Sequence, residues 1–166
     1  MAFKEISVSE LSFNPFDKIG KEWMLISAGN EDSFNTMTAS WGFMGFMWGK
    51  SVIETVIRHS RHTFGFIENS EYFTVSFFGE EHRDALKFCG ANSGRDCNKA
   101  EKAGLTPYFT DGTVSFDEAS MVFVCRKIYA QDMDISKLSE EYRHWYKDGD
   151  IHKAFVGEII KVLVKE

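Results

Sequence analysis

The chain has 166 residues, 43% of them apolar and 27% charged, with a formal net charge of −6. That balance predicts one globular domain over residues 1–166, large enough to bury a core without disulfide staples. The acidic excess argues against a nucleic-acid partner, which would demand a basic footprint. Three cysteines (Cys89, Cys97 and Cys125) are an odd set without CxxC spacing. With a polar, charged start at residues 1–10, they predict reduced thiols in a cytoplasmic protein. No run is long and apolar enough to predict a membrane span. His59 and His62 stand three apart without a Cys pair beside them, so no metal site is expected.

In chain order, residues 3–19 read as an extended or irregular lead-in broken by Pro15. Residues 23–28 and 34–40 predict a hairpin across the polar turn Gly29-Asn30-Glu31-Asp32. Residues 42–49 lack a helical period and read as a loop or irregular strand. The β-branched run 51–58 predicts a central strand. A short helix follows at 62–69, with Phe64, Ile67 and Phe66 as inward candidates, then a strand at 72–78. Residues 80–88 predict a helix with Leu86 on its apolar side and acids in its first turn. Ser93 is placed to cap a further helix over 95–103 that stops at Gly104.

Residues 105–114 are turn-rich, with the hairpin dipeptide Asp111-Gly112. A long strand is expected at 119–130, a helix capped by Ser136 at 136–146, and a last strand at 154–164 with Gly157 at a bend or bulge. Many strands with a few inserted helices predict a mainly β barrel rather than a βαβ alternation. The aromatic share of 15% suits such a core, and a pocket with flat walls.

Four segments carry candidate chemistry. Asn35-Thr36-Met37-Thr38-Ala39-Ser40-Trp41-Gly42 joins hydroxyls and small residues to an aromatic, and could present main-chain donors to a flat polar ring. Arg58-His59-Ser60-Arg61-His62-Thr63 offers a guanidinium fork and hydroxyls between a strand and a helix. Ser93-Gly94-Arg95-Asp96-Cys97-Asn98-Lys99 has a glycine at a helix start and two cations four apart, which suits one phosphate group. The same pattern also describes an ordinary capped surface helix. Gly149-Asp150-Ile151-His152 places an imidazole before the last strand, with Asp150 able to orient it and raise its pKa. No Gly-x-Gly-x-x-Gly fingerprint occurs, so a nicotinamide nucleotide would dock without a Rossmann unit.

These segments, in this order and within residues 21–158, resemble the flavin reductase-like family, whose fold is the FMN-binding split barrel. The resemblance implies that Asn35, Thr36, Met37, Thr38, Ala39, Ser40 and Trp41 contact the ring and ribityl chain of FMN. Arg61 and Thr63, with Ser93, Gly94, Arg95 and Lys99, fall where the family holds the phosphate. His152 corresponds to the family's His near the flavin or the incoming nicotinamide, with Ile151 inserted after Asp150. The implied activity is hydride transfer from NADH or NADPH to FMN in a homodimer. A flavoredoxin-like electron carrier serving a redox protein partner needs the same cradle. A non-catalytic split barrel using Trp41 and Trp48 as a binding surface is the reading from another class.

Overall fold

The computed structural model describes residues 2–166. Its centre is an eight-stranded antiparallel sheet. Strands β1 (Phe3–Ile6), β2 (Met24–Gly29), β3 (Phe34–Ala39), β4 (Gly42–Met47), β5 (Lys50–Arg58) and β6 (Tyr72–Phe77) precede a small hairpin of β7 (Pro107–Thr110) and β8 (Thr113–Phe116). The long strands β9 (Met121–Asp132) and β10 (His152–Lys165) complete it. The order across the sheet is β3-β2-β6-β9-β10-β5-β4, with β1 also on β10. The helices are α1 (His62–Asn69) and α2 (Arg83–Ala91).

Both faces of the central strands are buried, which explains why β9 reads as an unbroken apolar run. Phe123 and Cys125 enter one core with Ile26, Val75, Ile53 and Phe155. Val122 and Val124 enter a second core with Leu25, Leu86, Phe116 and Leu163. Alternate side chains of a strand point to opposite faces, so β2, β9 and β10 serve both cores. The hairpin β7–β8 closes the second one. Its link to the sheet is polar as well as apolar: Ser76 and Ser115 share a hydroxyl bond of 2.8 Å, and Thr74 donates to the Val114 carbonyl at 2.5 Å.

Strand β10 pairs with β5 through residues 152–158 and with β1 through residues 162–165, against β9 all along its other edge. Its register shifts at Val156/Gly157 and again at Ile159/Lys161. Such bulges bend a strand and let it change neighbours. A Cβ at Gly157 would sit 2.6 Å from both Cys125 Cβ and Phe73 Cζ, so only glycine fits this bend.

Several expectations need correction. Residues 42–47 form a regular strand on β5, closed by the Trp48-Gly49 turn with φ of 53° and 73°. The lead-in contains β1 and, at Lys18–Glu22, a turn of π-helix. The helix expected over 95–103 is only Lys99–Lys102, because Asn98 and not Ser93 is its cap, accepting from the Glu101 N–H. Residues 136–146 form two short 3-10 turns, Ile135–Lys137 and Glu140–Tyr146, the first capped by Asp134. Their charged and aromatic side chains follow no helical period, which leaves an α-helix without an apolar stripe to bury.

Candidate functional site

A continuous cleft runs along the end of β3, and its parts differ in chemistry. One part, about 240 Å³, is bordered by Thr38, Ala39, Ser40, Trp41, Val56, Arg58, Arg61, Trp145 and His152. Arg61 also borders the neighbouring cavity of about 190 Å³, formed by residues 60–62, 90–95 and Lys99. In the other direction Ser40, Trp41 and Val56 lead to an open apolar cavity of about 560 Å³ whose walls include Phe16, Phe43, Met44 and Met133.

The 190 Å³ cavity is a cationic corner. Lys99 is 3% exposed, and among the described residues its ammonium donates to the Cys89 carbonyl alone, at 2.9 Å. Burial, then the nearby Arg61 charge, brings its pKa down to about 8. Arg61 precedes α1 and gives Nη1 to the Gly90 carbonyl at 3.3 Å, while Nη2 is buried with no hydrogen-bond partner among the described residues. Burial lowers its pKa as well. Burial, then Arg95 and Lys99, likewise lowers that of His62. Among the described residues, no carboxylate pairs with Arg61, Arg95 or Lys99. Buried cations without counter-charges are costly, and a native site that holds them is shaped for an anion.

Local sequence explains the corner's shape. The backbone turns at Ser93, whose hydroxyl accepts from the Arg95 N–H at 3.2 Å and whose carbonyl accepts from the Asp96 N–H at 3.1 Å. Gly94 lies against β3 and α1: a Cβ there would overlap Asn35 Oδ1 and come within 2.9 Å of His62 Cδ2. Asn35 in turn donates to Thr63 at 2.9 Å, and both are buried. Arg95 is exposed and donates to the Ser60 carbonyl at 3.0 Å. Arg95 and Lys99 therefore converge from a turn and a short helix, not from one helix face.

The 240 Å³ part of the cleft is less charged. His152 is 8% exposed and starts β10, opposite Arg58 in register. Its Nδ1 lies 2.8 Å from the Tyr146 hydroxyl, and its ring centre is 5.3 Å from that of Trp41. Trp145 packs edge-on against Trp41 at 5.0 Å. Burial, then the Arg58 charge, lowers the His152 pKa to about 4, outweighing the opposite pull of Asp150. The expected raising by Asp150 is thus reversed. That carboxylate is turned to Ser60, accepting from its hydroxyl at 2.5 Å and its N–H at 3.2 Å.

Of the sequence-selected residues, Met37, Thr38, Ala39, Ser40, Trp41, Arg61 and His152 meet at this part of the cleft. Ser93, Gly94, Arg95 and Lys99 meet Arg61 at the corner. Asn35 and Thr63 stand behind Gly94 as a buried support. Thr36 is turned away, its hydroxyl bonded to Ser27 at 2.8 Å and to the Ile26 carbonyl. Thr38 donates to the Leu86 carbonyl at 2.5 Å, so its hydroxyl fastens α2 to β3. Sequence reasoning missed Val56, Trp145, Tyr146 and the role of Arg58. Arg58 donates to the carbonyls of Trp145, at 2.9 Å, and Asp150, which holds residues 145–150 over the cleft. Only tertiary contacts across some ninety residues of sequence reveal that latch.

Residues 16–166 match the flavin reductase like domain. The chain belongs to that family. No curated protein sequence matches it. Among solved structures it is similar to a flavoredoxin from Methanosarcina acetivorans, with a TM-score of 0.71 at 18% identity over 87% of this chain and 69% of that one. The FMN-binding domain of a flavin reductases-like enzyme from Shewanella baltica gives 0.70 at 17% identity, over 98% and 77%. Nitrilotriacetate monooxygenase component B from Bacillus cereus gives 0.69 at 16% identity, over 100% and 83%. The mainly β architecture is therefore the split barrel of this family.

Proposed function

We propose that the protein is an FMN-dependent oxidoreductase, in which NADH or NADPH reduces the flavin. The observation that carries the reading is the corner of half-buried Arg61 and buried Lys99, without carboxylate partners among the described residues, at one end of a cleft walled by Trp41, Trp145 and His152. A phosphate monoester would satisfy Arg61 Nη2 and the Lys99 ammonium, since both residues border the corner cavity. Met37, Thr38, Ala39, Ser40 and Trp41 would line the ribityl chain and ring. Bound there, FMN supplies hydride and single-electron chemistry that no side chain of the protein has.

The chain's own part is placement and electrostatics. The tail cations would fix the orientation, and Trp41 and Trp145 would offer flat faces to the ring. His152, held below the neutral range, stands at the ring as an uncharged imidazole rather than as a proton store. In the same reading the protein is cytoplasmic and pairs with a second copy of itself. Edge strand β4 exposes Phe43 and Phe46 at 67% and 76%, the turn after it exposes Trp48 at 60%, and Phe16, which shares a cavity wall with Phe43, is 85% exposed; such exposed aromatic side chains suit a contact with a second copy. A fluorescence titration tests the reading: FMN should bind more tightly than riboflavin, and NADH or NADPH oxidation should depend on added FMN. Equal affinity for the two flavins would remove its basis.

One feature favours the electron-carrier version. The 560 Å³ cavity beside the ring space contains no charged lining residue, and so offers nothing for the pyrophosphate of a dinucleotide. Flavin that binds tightly while steady-state NADH and NADPH oxidation stays near background would select the carrier.

A further inference from the structure

The Tyr146 hydroxyl reaches two groups, Nδ1 of His152 at 2.8 Å and the Met133 sulfur at 3.5 Å. A phenol has one proton to give. A thioether can only accept, and weakly, whereas an unprotonated imidazole nitrogen is a strong acceptor. The shorter contact therefore takes the proton, and Nδ1 is the acceptor. A neutral imidazole must then carry its own proton on Nε2. Nε2 has no protein partner among the described residues and is not a sealed atom, while His152 borders the cleft beside Thr38, Trp41 and Arg61.

The surrounding charges support this arrangement. Arg58 on β5 lies 5.2 Å from the centre of the Tyr146 ring and fastens the same segment through the Trp145 and Asp150 carbonyls. Burial of the ring, and then the Arg58 charge, disfavours an imidazolium. Asp150, the carboxylate nearest in sequence, is engaged by Ser60. Asp148 lies 3.7 Å from Arg58 and is bound up with it.

We propose that Tyr146 is a positioning residue that fixes His152 as the Nε2–H tautomer, so that one uncharged N–H donor faces the ring cleft. Its chemical use rests on the FMN reading above. A neutral donor at that place would hydrogen-bond an oxygen or nitrogen of the ring that gains electron density on reduction. The tautomer itself does not depend on that reading.

Long-range ¹H–¹⁵N correlation of the histidine side chains at pH 7 tests it, in the full protein with and without FMN, with His152 assigned through His152→Gln. The expected wild-type result is an imine-type Nδ1 and a pyrrole-type Nε2. Tyr146→Phe keeps the ring over Arg58 and should move both nitrogens to intermediate shifts as the tautomers exchange. In the FMN-loaded protein the same variant should slow flavin reduction by only about twofold to fivefold, the share of the Nε2–H form lost to exchange, with FMN affinity little changed. Met133→Leu removes the competing acceptor and should leave the spectrum as in wild type. An Nδ1–H tautomer or an imidazolium in the wild type, or an unchanged spectrum in Tyr146→Phe, overturns the proposal. A protein that takes up no FMN yet shows the Nε2–H tautomer would refute the functional reading and leave the tautomer assignment standing.

Discussion

The two ends of the cleft apply the same physics to opposite ends. Burial is the leading cause of the shift at Lys99 in the corner and at His152 beside Trp41, and in both it disfavours the charged form. Lys99 starts from 10.5 and comes to about 8, so at pH 7 it is still a cation. His152 starts from 6.5 and comes to about 4, so at pH 7 it is neutral. One end thus stores charge that only an incoming anion relieves, and the other is cleared of it. On the proposed function this is a division of labour: affinity would be concentrated in the cationic corner and chemistry beside Trp41 and His152, with Arg61 bordering both.

Substitutions on either side can break that division. The largest effect is expected for Arg61→Met, which removes the one guanidinium with a buried, partnerless nitrogen. Losing a charge-assisted fork to phosphate costs about 2–4 kcal/mol, so FMN affinity should fall roughly 30-fold to 1000-fold while riboflavin affinity stays within about twofold. An equal loss for both flavins, read by fluorescence titration, would mean that Arg61 serves the ring end instead. Lys99→Met comes next, at about tenfold to a hundredfold for FMN at pH 7.

The pH dependence of wild type carries the same information. A bound phosphate favours the ammonium and raises the Lys99 pKa above its free value of about 8. FMN affinity should therefore be full below pH 8 and decline above it, by up to about tenfold per pH unit, until the bound pKa is passed. Stability of the flavin-free protein runs the other way. Lys99 is less basic folded than unfolded, so the unfolded chain binds more protons between about 8 and 10.5, and stability rises with pH across that window. Below pH 8 the buried ammonium is a standing cost. Lys99→Met should raise flavin-free stability at pH 7 by about 1–3 kcal/mol in urea titrations, net of the unpaired Cys89 carbonyl. Trp41→Leu, at the ring end, should weaken FMN and riboflavin alike, by about tenfold.

The same two regions differ in how far sequence reveals them. The sheet is legible where local chemistry decides: the β-branched run of β5, the apolar run of β9, the Asp111-Gly112 turn and the Gly157 bulge. The corner is legible for a related reason, since a glycine turn with nearby cations is a short-range pattern. Its geometry was nevertheless misread, because Asn98 outcompetes Ser93 as cap and sends Lys99 inward. Strand β4 was obscured by Gly42 and Gly45 and by the large apolar side chains on its exposed face. The ring end was the least legible. Tyr146 and His152 are six residues apart without a helical or strand period between them, and Arg58 joins them only through tertiary packing. Asp150 looked like the partner of His152 because it is near in sequence, yet its carboxylate closes a turn with Ser60.

Arg95 gives the smallest and the most discriminating test of the corner. It belongs to the same motif as Lys99, and from sequence alone the two carry equal weight. The structure separates them: Arg95 is exposed and held by one carbonyl bond to Ser60, whereas Lys99 is sealed. An exposed charge acts through a screened, high-dielectric field and contributes on the order of 0.2–1 kcal/mol. Arg95→Ala should therefore weaken FMN binding only about twofold to fivefold at low ionic strength, and the difference from wild type should shrink as salt is added. The Lys99→Met deficit should persist at the same salt, because a buried pair is poorly screened. If the two variants instead lose affinity equally and recover parity with wild type in salt, phosphate is met at the surface, and the sealed ammonium of Lys99 and the buried Nη2 of Arg61 need another explanation.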